Sequence, residues 1–290
     1  MTASSAPLTA DPKLADTASN RLTGTMRIAI ISDIHANVDA LQAVLADIRA
    51  SDVQHVVCLG DLVGYNTFPR ETLAVFRDSG ILSVHGNHDL MAIGRLPPDD
   101  CGPMGRKAIA WTQAVLTDAD RHYLGSLPGE LRPHRGILYV HSAPGDPVVR
   151  LRTHAQFHEQ YVRISQSDPD VRLCFTGHSH VACTMVVTPR GEVVCPYEPE
   201  VTIDPAAFYF VNPGSVGYPR DGDYRAAYGI LDWEARRLSF RRVDYDPTRV
   251  LRENARYGIR LEFRPLIRRS LRSRTLAVAR AVGRLIGGLR

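Results

Sequence analysis

Lysine is nearly absent from this chain of 290 residues: Lys13 and Lys107 are the only two among 35 basic side chains. That bias reads as coding preference and carries no functional meaning. Cysteine is sparse too. Cys58, Cys101, Cys174, Cys183 and Cys195 form no CxxC pair, and an odd number cannot all pair internally. Spread thinly along the chain, the thiols read as reduced ones in a cytoplasmic protein. No apolar run approaches the roughly 18 residues that a membrane-spanning helix needs. The N-terminus lacks the basic start and apolar stretch of a secretory signal. There is no internal repeat and no low-complexity linker, so a solenoid is excluded and the body reads as one domain.

What remains is a chain with 44% hydrophobic residues, enough for a sizeable core. Its formal charge of +4 hides an asymmetry. Residues 264–290 carry eight arginines and no acid, so removing them from the total leaves about −4 for the rest. Residues 1–25, rich in Ala, Ser, Thr and Asp, read as a disordered extension. The folded domain is expected over 26–263, with an Arg-rich tail over 264–290. Leu271, Val278, Val282, Leu285, Ile286 and Leu289 would give that tail an apolar stripe if helical, suited to docking on the body or to peripheral contact with an anionic membrane.

Within the body, strands and helices alternate. Met26–Ser32 is an apolar, β-branched run, as a strand buried on both faces should be. Asn37 then offers an N-cap, and Val38, Leu41, Val44, Leu45 and Ile48 recur at helical spacing. Further strands are predicted at 55–60 and 81–86, with a helix near Arg70–Asp78 between them. A helical region is expected over 103–126. Later strands fall at 136–141, 171–176, 182–188, 192–197, 207–212, 226–232 and 237–244. The pattern is that of an α/β protein with a partly parallel sheet.

Polar residues gather where these strands end: Asp33-Ile34-His35, Gly60-Asp61, Gly86-Asn87-His88-Asp89, His141 and Gly177-His178-Ser179-His180. In an open α/β sheet, such loops converge on one crevice. Two carboxylates, an amide and several imidazoles would meet there, a donor set for borderline divalent ions such as Mn, Fe, Co, Ni or Zn. Cysteine is missing from the set, which argues against a structural zinc site. His55, His122, His134, His154 and His158 fall outside these segments and read as structural or surface residues.

The five segments in order resemble the motif series of the calcineurin-like metallophosphoesterases over about residues 26–245. Ser32-Asp33-Ile34-His35-Ala36-Asn37 and Asn212-Pro213-Gly214-Ser215-Val216-Gly217 further resemble the small prokaryotic phosphodiesterase branch. The resemblance implies a four-layer α-β-β-α sandwich of two mixed β-sheets and a centre with two divalent metals, manganese favoured. Asp33, His35 and His180 would hold one ion, Asn87, His141 and His178 the other, and Asp61 would bridge them. Hydroxide shared between the ions would attack the phosphorus. His88 would stabilise the transition state or protonate the leaving oxygen.

One departure is visible. In the protein-phosphatase branch, an aspartate in the second motif supports the histidine that matches His88. The corresponding stretch here, Gly60-Asp61-Leu62-Val63-Gly64-Tyr65, has none. With Asp89 in place of that branch's glutamate, this argues against a phosphoprotein phosphatase and a diadenosine-tetraphosphate hydrolase.

Asn37, Tyr65, Asn66 and Arg220 are candidate substrate contacts. Tyr65, Asn66 and Phe68 either line the pocket mouth or pack the loop, and Arg220 either meets phosphate oxygens or makes a surface ion pair. The expected activity is hydrolysis of a small, nucleotide-like phosphodiester or phosphomonoester. A nuclease that grips nucleic acid with the basic tail is one alternative. A protein-binding scaffold of the same fold is another, and scaffolds of that kind tend to lose ligands that this chain retains.

Overall fold

The computed structural model describes residues 26–196 and 198–261. The expected extension over 1–25 and tail over 264–290 lie outside them. The chain begins with β1 (Arg27–Ile31), α1 (Val38–Arg49), β2 (His55–Cys58), α2 (Pro69–Ser79) and β3 (Leu82–Ser83). Three helices follow, α3 (Asn87–Ala92), α4 (Pro103–Val115) and α5 (Asp118–Ser126). Then come β4 (Glu130–Leu131), β5 (Ile137–Val140), α6 (His154–Ser167), β6 (Leu173–Phe175), β7 (Cys183–Val187) and β8 (Val193–Val194). The described part ends with β9 (Glu200–Thr202), β10 (Phe208–Asn212), β11 (Ala226–Asp232), β12 (Arg237–Val243) and α7 (Thr248–Arg256).

The strands form two six-stranded mixed sheets, in the orders β3-β2-β1-β11-β12-β9 and β4-β5-β6-β10-β7-β8. In the first, β1, β2 and β3 run parallel, and β11 joins β1 antiparallel with Ala29 opposite Ile230. In the second, β5, β6 and β10 are parallel, with β7 antiparallel to β10.

The period-2 alternation of strand side chains sets the layers. Ile28 and Ile30 point between the sheets, where they meet Tyr139, Phe175, Tyr209 and Val211. Ala29 and Ile31 point the other way, onto Leu41, Val44 and Ile48 of α1 and Leu73 and Phe76 of α2. On the outer face of the second sheet, Phe157 and Ile164 of α6 cover Leu138, Val140, Cys174 and Met185. Helix, sheet, sheet, helix is the expected four-layer sandwich. Each large apolar side chain buried in this way contributes about 1.5–3 kcal/mol relative to exposure.

Several details differ from expectation. The helical region over 103–126 is two helices, because Thr117 accepts a bond from the Asp120 N–H and Asp120 answers in a capping box that starts α5 afresh. Strands expected over 81–86 and 192–197 shrink to the two-residue β3 and β8, and Tyr197 lies outside the described residues. α6 and α7 have no counterpart among the expected elements. α6 starts at a Thr153/Gln156 capping box and buries Phe157, Gln160 and Ile164 on one face.

Candidate metal centre

Strands β1, β2, β5 and β6 all deliver candidate ligands to one rim of the sandwich, and the loops after β1, β2 and β6 hold several non-glycine residues in the left-handed region. Asp33, His35, Asp61, Tyr65, His178 and His180 all have φ between 49° and 64°. Outside glycine this conformation costs free energy and recurs at functional sites. It turns each side chain sharply back over the strand ends. Two glycines make room for the resulting close approach. A Cβ on Gly86 would collide with Asp61, and one on Gly177 with Ser32.

The loops are tied to one another through the candidate ligands. Asp33 accepts from the His178 N–H through both carboxylate oxygens at 3.1 Å, and from Ser32 Oγ at 2.7 Å. Asp61 Oδ1 accepts from the His88 N–H at 2.8 Å. Asn212 donates to the Gly177 carbonyl and to Ser179 Oγ, and Ser215 donates to the Asp33 carbonyl. The Asn212-to-Gly217 motif is thus a clamp across the first and last ligand loops. Sequence alone marked the motif but gave no role to its side chains.

Two groups of donors result. Asp33, His35, Asp61 and His180 converge in one, and Asp61, His141 and His178 in the other, all buried. Asn87 joins the second group, its Oδ1 lying 3.0 Å from both His141 Nε2 and His178 Nδ1. The structure therefore brings together all seven residues singled out as metal ligands.

Three of the four histidines have their outer nitrogen on a backbone carbonyl: His35 on Val63 at 3.2 Å, His180 on Tyr218 at 2.6 Å and His141 on Leu59 at 2.8 Å. Each Nδ1–H donates outward, so Nε2 faces the centre. His35 Nε2 and His180 Nε2 then oppose each other at 3.0 Å. With protons on both Nδ1 atoms, the facing atoms are two lone pairs, a repulsion that a cation between them relieves. Asp61 Oδ2 is buried with no hydrogen-bond partner, 3.6 Å from His35 Nε2 and 3.4 Å from His141 Nε2. An orphaned carboxylate oxygen lying between two imidazole groups fits a shared cation ligand.

The electrostatics point the same way. Burial pushes Asp33 up to about 7, with the Asp61 carboxylate adding to the rise. Burial pulls His35, His180 and His178 well below the usual imidazole range. Burial would do the same to His141, but the Asp61 carboxylate outweighs it and lifts His141 to about 9. Burial opposes ionisation of Asp61 itself, yet His141 and His88 hold it well below the carboxylate range. Without a metal, a proton on His141 serves as the counter-charge.

A scan against family models matches residues 26–236 to the calcineurin-like phosphoesterase superfamily domain. The chain belongs to that superfamily. Members of this metal-dependent family include a metallophosphoesterase from Sphaerobacter thermophilus, whose crystal structure shares 33% identity with this chain. It superposes with a TM-score of 0.67, over 89% of this chain and all of that one. An uncharacterized protein from Methanocaldococcus jannaschii is 35% identical over 222 residues, spanning 76% of this chain and 88% of its own. A hypothetical protein from Pyrococcus horikoshii shares the fold at 18% identity, with a TM-score of 0.65 over 82% of this chain and 96% of that one.

The phosphoesterase centre explains what holds His88 without the missing acid. Where that acid would stand is Gly64, and a Cβ there would come within 2.5 Å of His88 Nδ1, so the position has no room for a side chain as the ring now sits. The ring is wedged instead between Tyr65, at a centroid distance of 4.6 Å, and His35 at 4.9 Å, with Cys101 Sγ 3.9 Å from Nε2. Asp89 does not touch it. That carboxylate accepts from the Gly86 and Val63 N–H groups and belongs to the loop.

The candidate substrate contacts divide. Asn37 caps α1 through the Ala40 N–H and donates to the Gly217 carbonyl and Tyr245 hydroxyl. Asn66 donates to the His35 carbonyl and accepts from Asn254. Both amides are buried, and their hydrogen bonds brace loops around the site. Tyr65 and Arg220 line the rim: Arg220 Nη2 donates to the Tyr65 hydroxyl at 2.8 Å, with its guanidinium over the Tyr65 and Tyr218 rings. No helix among the described residues is long and apolar enough to cross a membrane.

Proposed function

We propose that this phosphoesterase holds two divalent ions, manganese favoured, and hydrolyses a small phosphodiester, with phosphomonoesters as the alternative substrates. The observation that carries the reading is the single unpartnered oxygen of Asp61, common to both donor groups. Asp33, His35 and His180 would hold one ion, Asn87, His141 and His178 the other. Bound there, the ions would neutralise an anionic ester and make water nucleophilic at neutral pH.

The chain's own residues supply the rest. Two carboxylates against two divalent charges leave the site net positive, which favours an anionic ester. His88 is drawn down to about 4 by burial, so near pH 7 it would meet the departing oxygen as a neutral hydrogen-bond donor, not as an imidazolium. Tyr65 and Tyr218 offer aromatic faces beside the site, and Arg220 a cation, which suits a nucleotide-like ester. A complete donor set also weighs against the scaffold alternative.

The test is hydrolysis of bis-p-nitrophenyl phosphate by metal-stripped protein titrated with Mn²⁺, with Asp61→Ala alongside. Restored turnover that vanishes in the variant is the expected result. Stoichiometric Mn²⁺ binding without turnover of diesters or monoesters would overturn the reading.

A further inference from the structure

Arg150 sits at the edge of the second donor group and makes no ion pair with any described residue, and Asp100 acts on it only at longer range. Among the described residues, no carboxylate lies within ion-pair distance of its guanidinium. A partly buried guanidinium is costly to desolvate unless an anion compensates it. Its loop is nonetheless built to deliver it. Ser142 Oγ donates to the Val149 carbonyl, and Asp146 Oδ1 accepts from the Val148 and Val149 N–H groups, folding the segment after β5 back over the rim.

The contact that Arg150 does make is temporary by its chemistry. Its Nε–H donates to His178 Nε2 at 3.1 Å. The His178 proton must then sit on Nδ1, where Asn87 Oδ1 at 3.0 Å accepts it. Nδ1 is also the atom that His178 turns toward His141, 3.2 Å from its Nε2, and so the atom it offers to an ion. A neutral imidazole that ligates through Nδ1 carries its proton on Nε2. Two N–H groups would then face each other across the present contact. Arg150 donation and metal ligation by His178 exclude one another.

Resting on the two-metal reading above, we propose that Arg150 is a phosphate-binding residue held on His178 in the metal-free protein and released toward the ester when the second ion loads. A narrow crevice of about 40 Å³, lined by Arg150, Ser142, His178, Met185 and Phe210, lies beside the contact. Arg220 stands at the first donor group, so a phosphoryl group at the centre would lie between two guanidinium groups. Bidentate bonds from such groups are among the strongest that phosphate accepts.

The experiment compares wild type, Arg150→Gln and Arg150→Lys in three readouts. Titration of Mn²⁺ into stripped protein should show Arg150→Gln binding as tightly as wild type or more tightly, since a competitor for His178 is gone. Titration of orthophosphate into Mn²⁺-loaded protein should weaken tenfold or more in Arg150→Gln and less in Arg150→Lys. Nitrogen-15 shifts of the His178 ring in stripped wild type should report the proton on Nδ1. Mn²⁺ binding weakened tenfold in Arg150→Gln, at an unchanged melting temperature, would make Arg150 a prop for His178 and overturn the proposal. Unchanged orthophosphate affinity would overturn it equally. Neither titration needs turnover, so a wild type that hydrolyses nothing would sink the proposed function while the role of Arg150 is still decided.

Discussion

The two halves of the metal centre are built differently. In the half made by Asp33, His35 and His180, both imidazoles are fixed by backbone carbonyls, and the aromatic ring of Tyr65 packs edge-on to His35 at 4.7 Å. In the half made by Asn87, His141 and His178, only His141 is fixed in that way, while His178 leans on a side chain with rotatable bonds. A carbonyl held in a strand-end loop fixes a tautomer permanently, whereas an arginine holds it only until something better arrives. On the two-ion reading proposed above, the first half would be preorganised for its ion, and the second would rearrange to take one.

The largest expected effect is the one that erases the comparison. Asp61 is common to both halves, so Asp61→Ala should cost turnover a factor on the order of 10³ or more, corresponding to the loss of several kcal/mol of charge stabilisation. Metal stoichiometry by calorimetry checks it alongside activity. Two ions still bound at wild-type affinity would show that the halves do not depend on a shared oxygen.

Next is the clamp. Asn212→Ala removes the bonds to the Gly177 carbonyl and Ser179 Oγ that hold the loop bearing His178 and His180. Loss of such outer support typically lowers metal affinity 10–100-fold. Because His180 keeps its ring on a backbone carbonyl while the His178 ring is held only by the side chains of Arg150 and Asn87, the ion that His178 would ligate should suffer more. Equal loss for both ions in a Mn²⁺ titration would break the distinction between the halves.

Proton release sharpens it further. At pH 8 Asp33, pushed up to about 7, is mostly ionised, and His35 and His180 are neutral. His141, lifted to about 9, is still mostly protonated. The ion entering the first half should release few protons, and the one entering the second about one. Affinity in the second half should accordingly rise with pH until about 9 and flatten above it. Calorimetry in buffers of different ionisation enthalpy counts the protons, and equal release by the two ions would contradict the assignment.

Much of this asymmetry was hidden from the sequence, for physical reasons. The seven donors were legible because each sits in a short motif directly after an apolar strand, and strand ends converge whatever the partners of each strand. The carbonyls of Leu59, Val63 and Tyr218 were not, since any residue supplies a carbonyl and only the backbone path aims it. Arg150 lies nine residues beyond His141 in a loop whose fold depends on Asp146 and Ser142, and one arginine among so many carries no local signal. Asn37 illustrates the reverse case. It stood out both as a helix cap and as a substrate contact, and the structure shows the cap, with burial and two further hydrogen bonds around it. α6 was readable in principle, from Thr153, Gln156 and the spacing of Phe157, Tyr161 and Ile164. Joining β11 and β12 to the sheet of β1 was not, because register across some 200 residues leaves no trace in either segment.

The smallest effect tests the wall of the first half. Tyr65 contributes a ring and a hydroxyl, and these do different things. The ring packs against His88 and His35, and the hydroxyl accepts from Arg220. Tyr65→Phe keeps the ring and frees the guanidinium. Since Arg220 is on the rim, where water can replace the lost bond, the change should be worth about 1 kcal/mol at most. KM for the diester should therefore move about fivefold, with Mn²⁺ affinity of both ions unchanged. Tyr65→Ala removes the ring as well, and should lower kcat by loosening His88. If the phenylalanine variant matched the alanine variant in kcat, the bond between the hydroxyl and Arg220, and not the packing of the ring, would be what steadies His88.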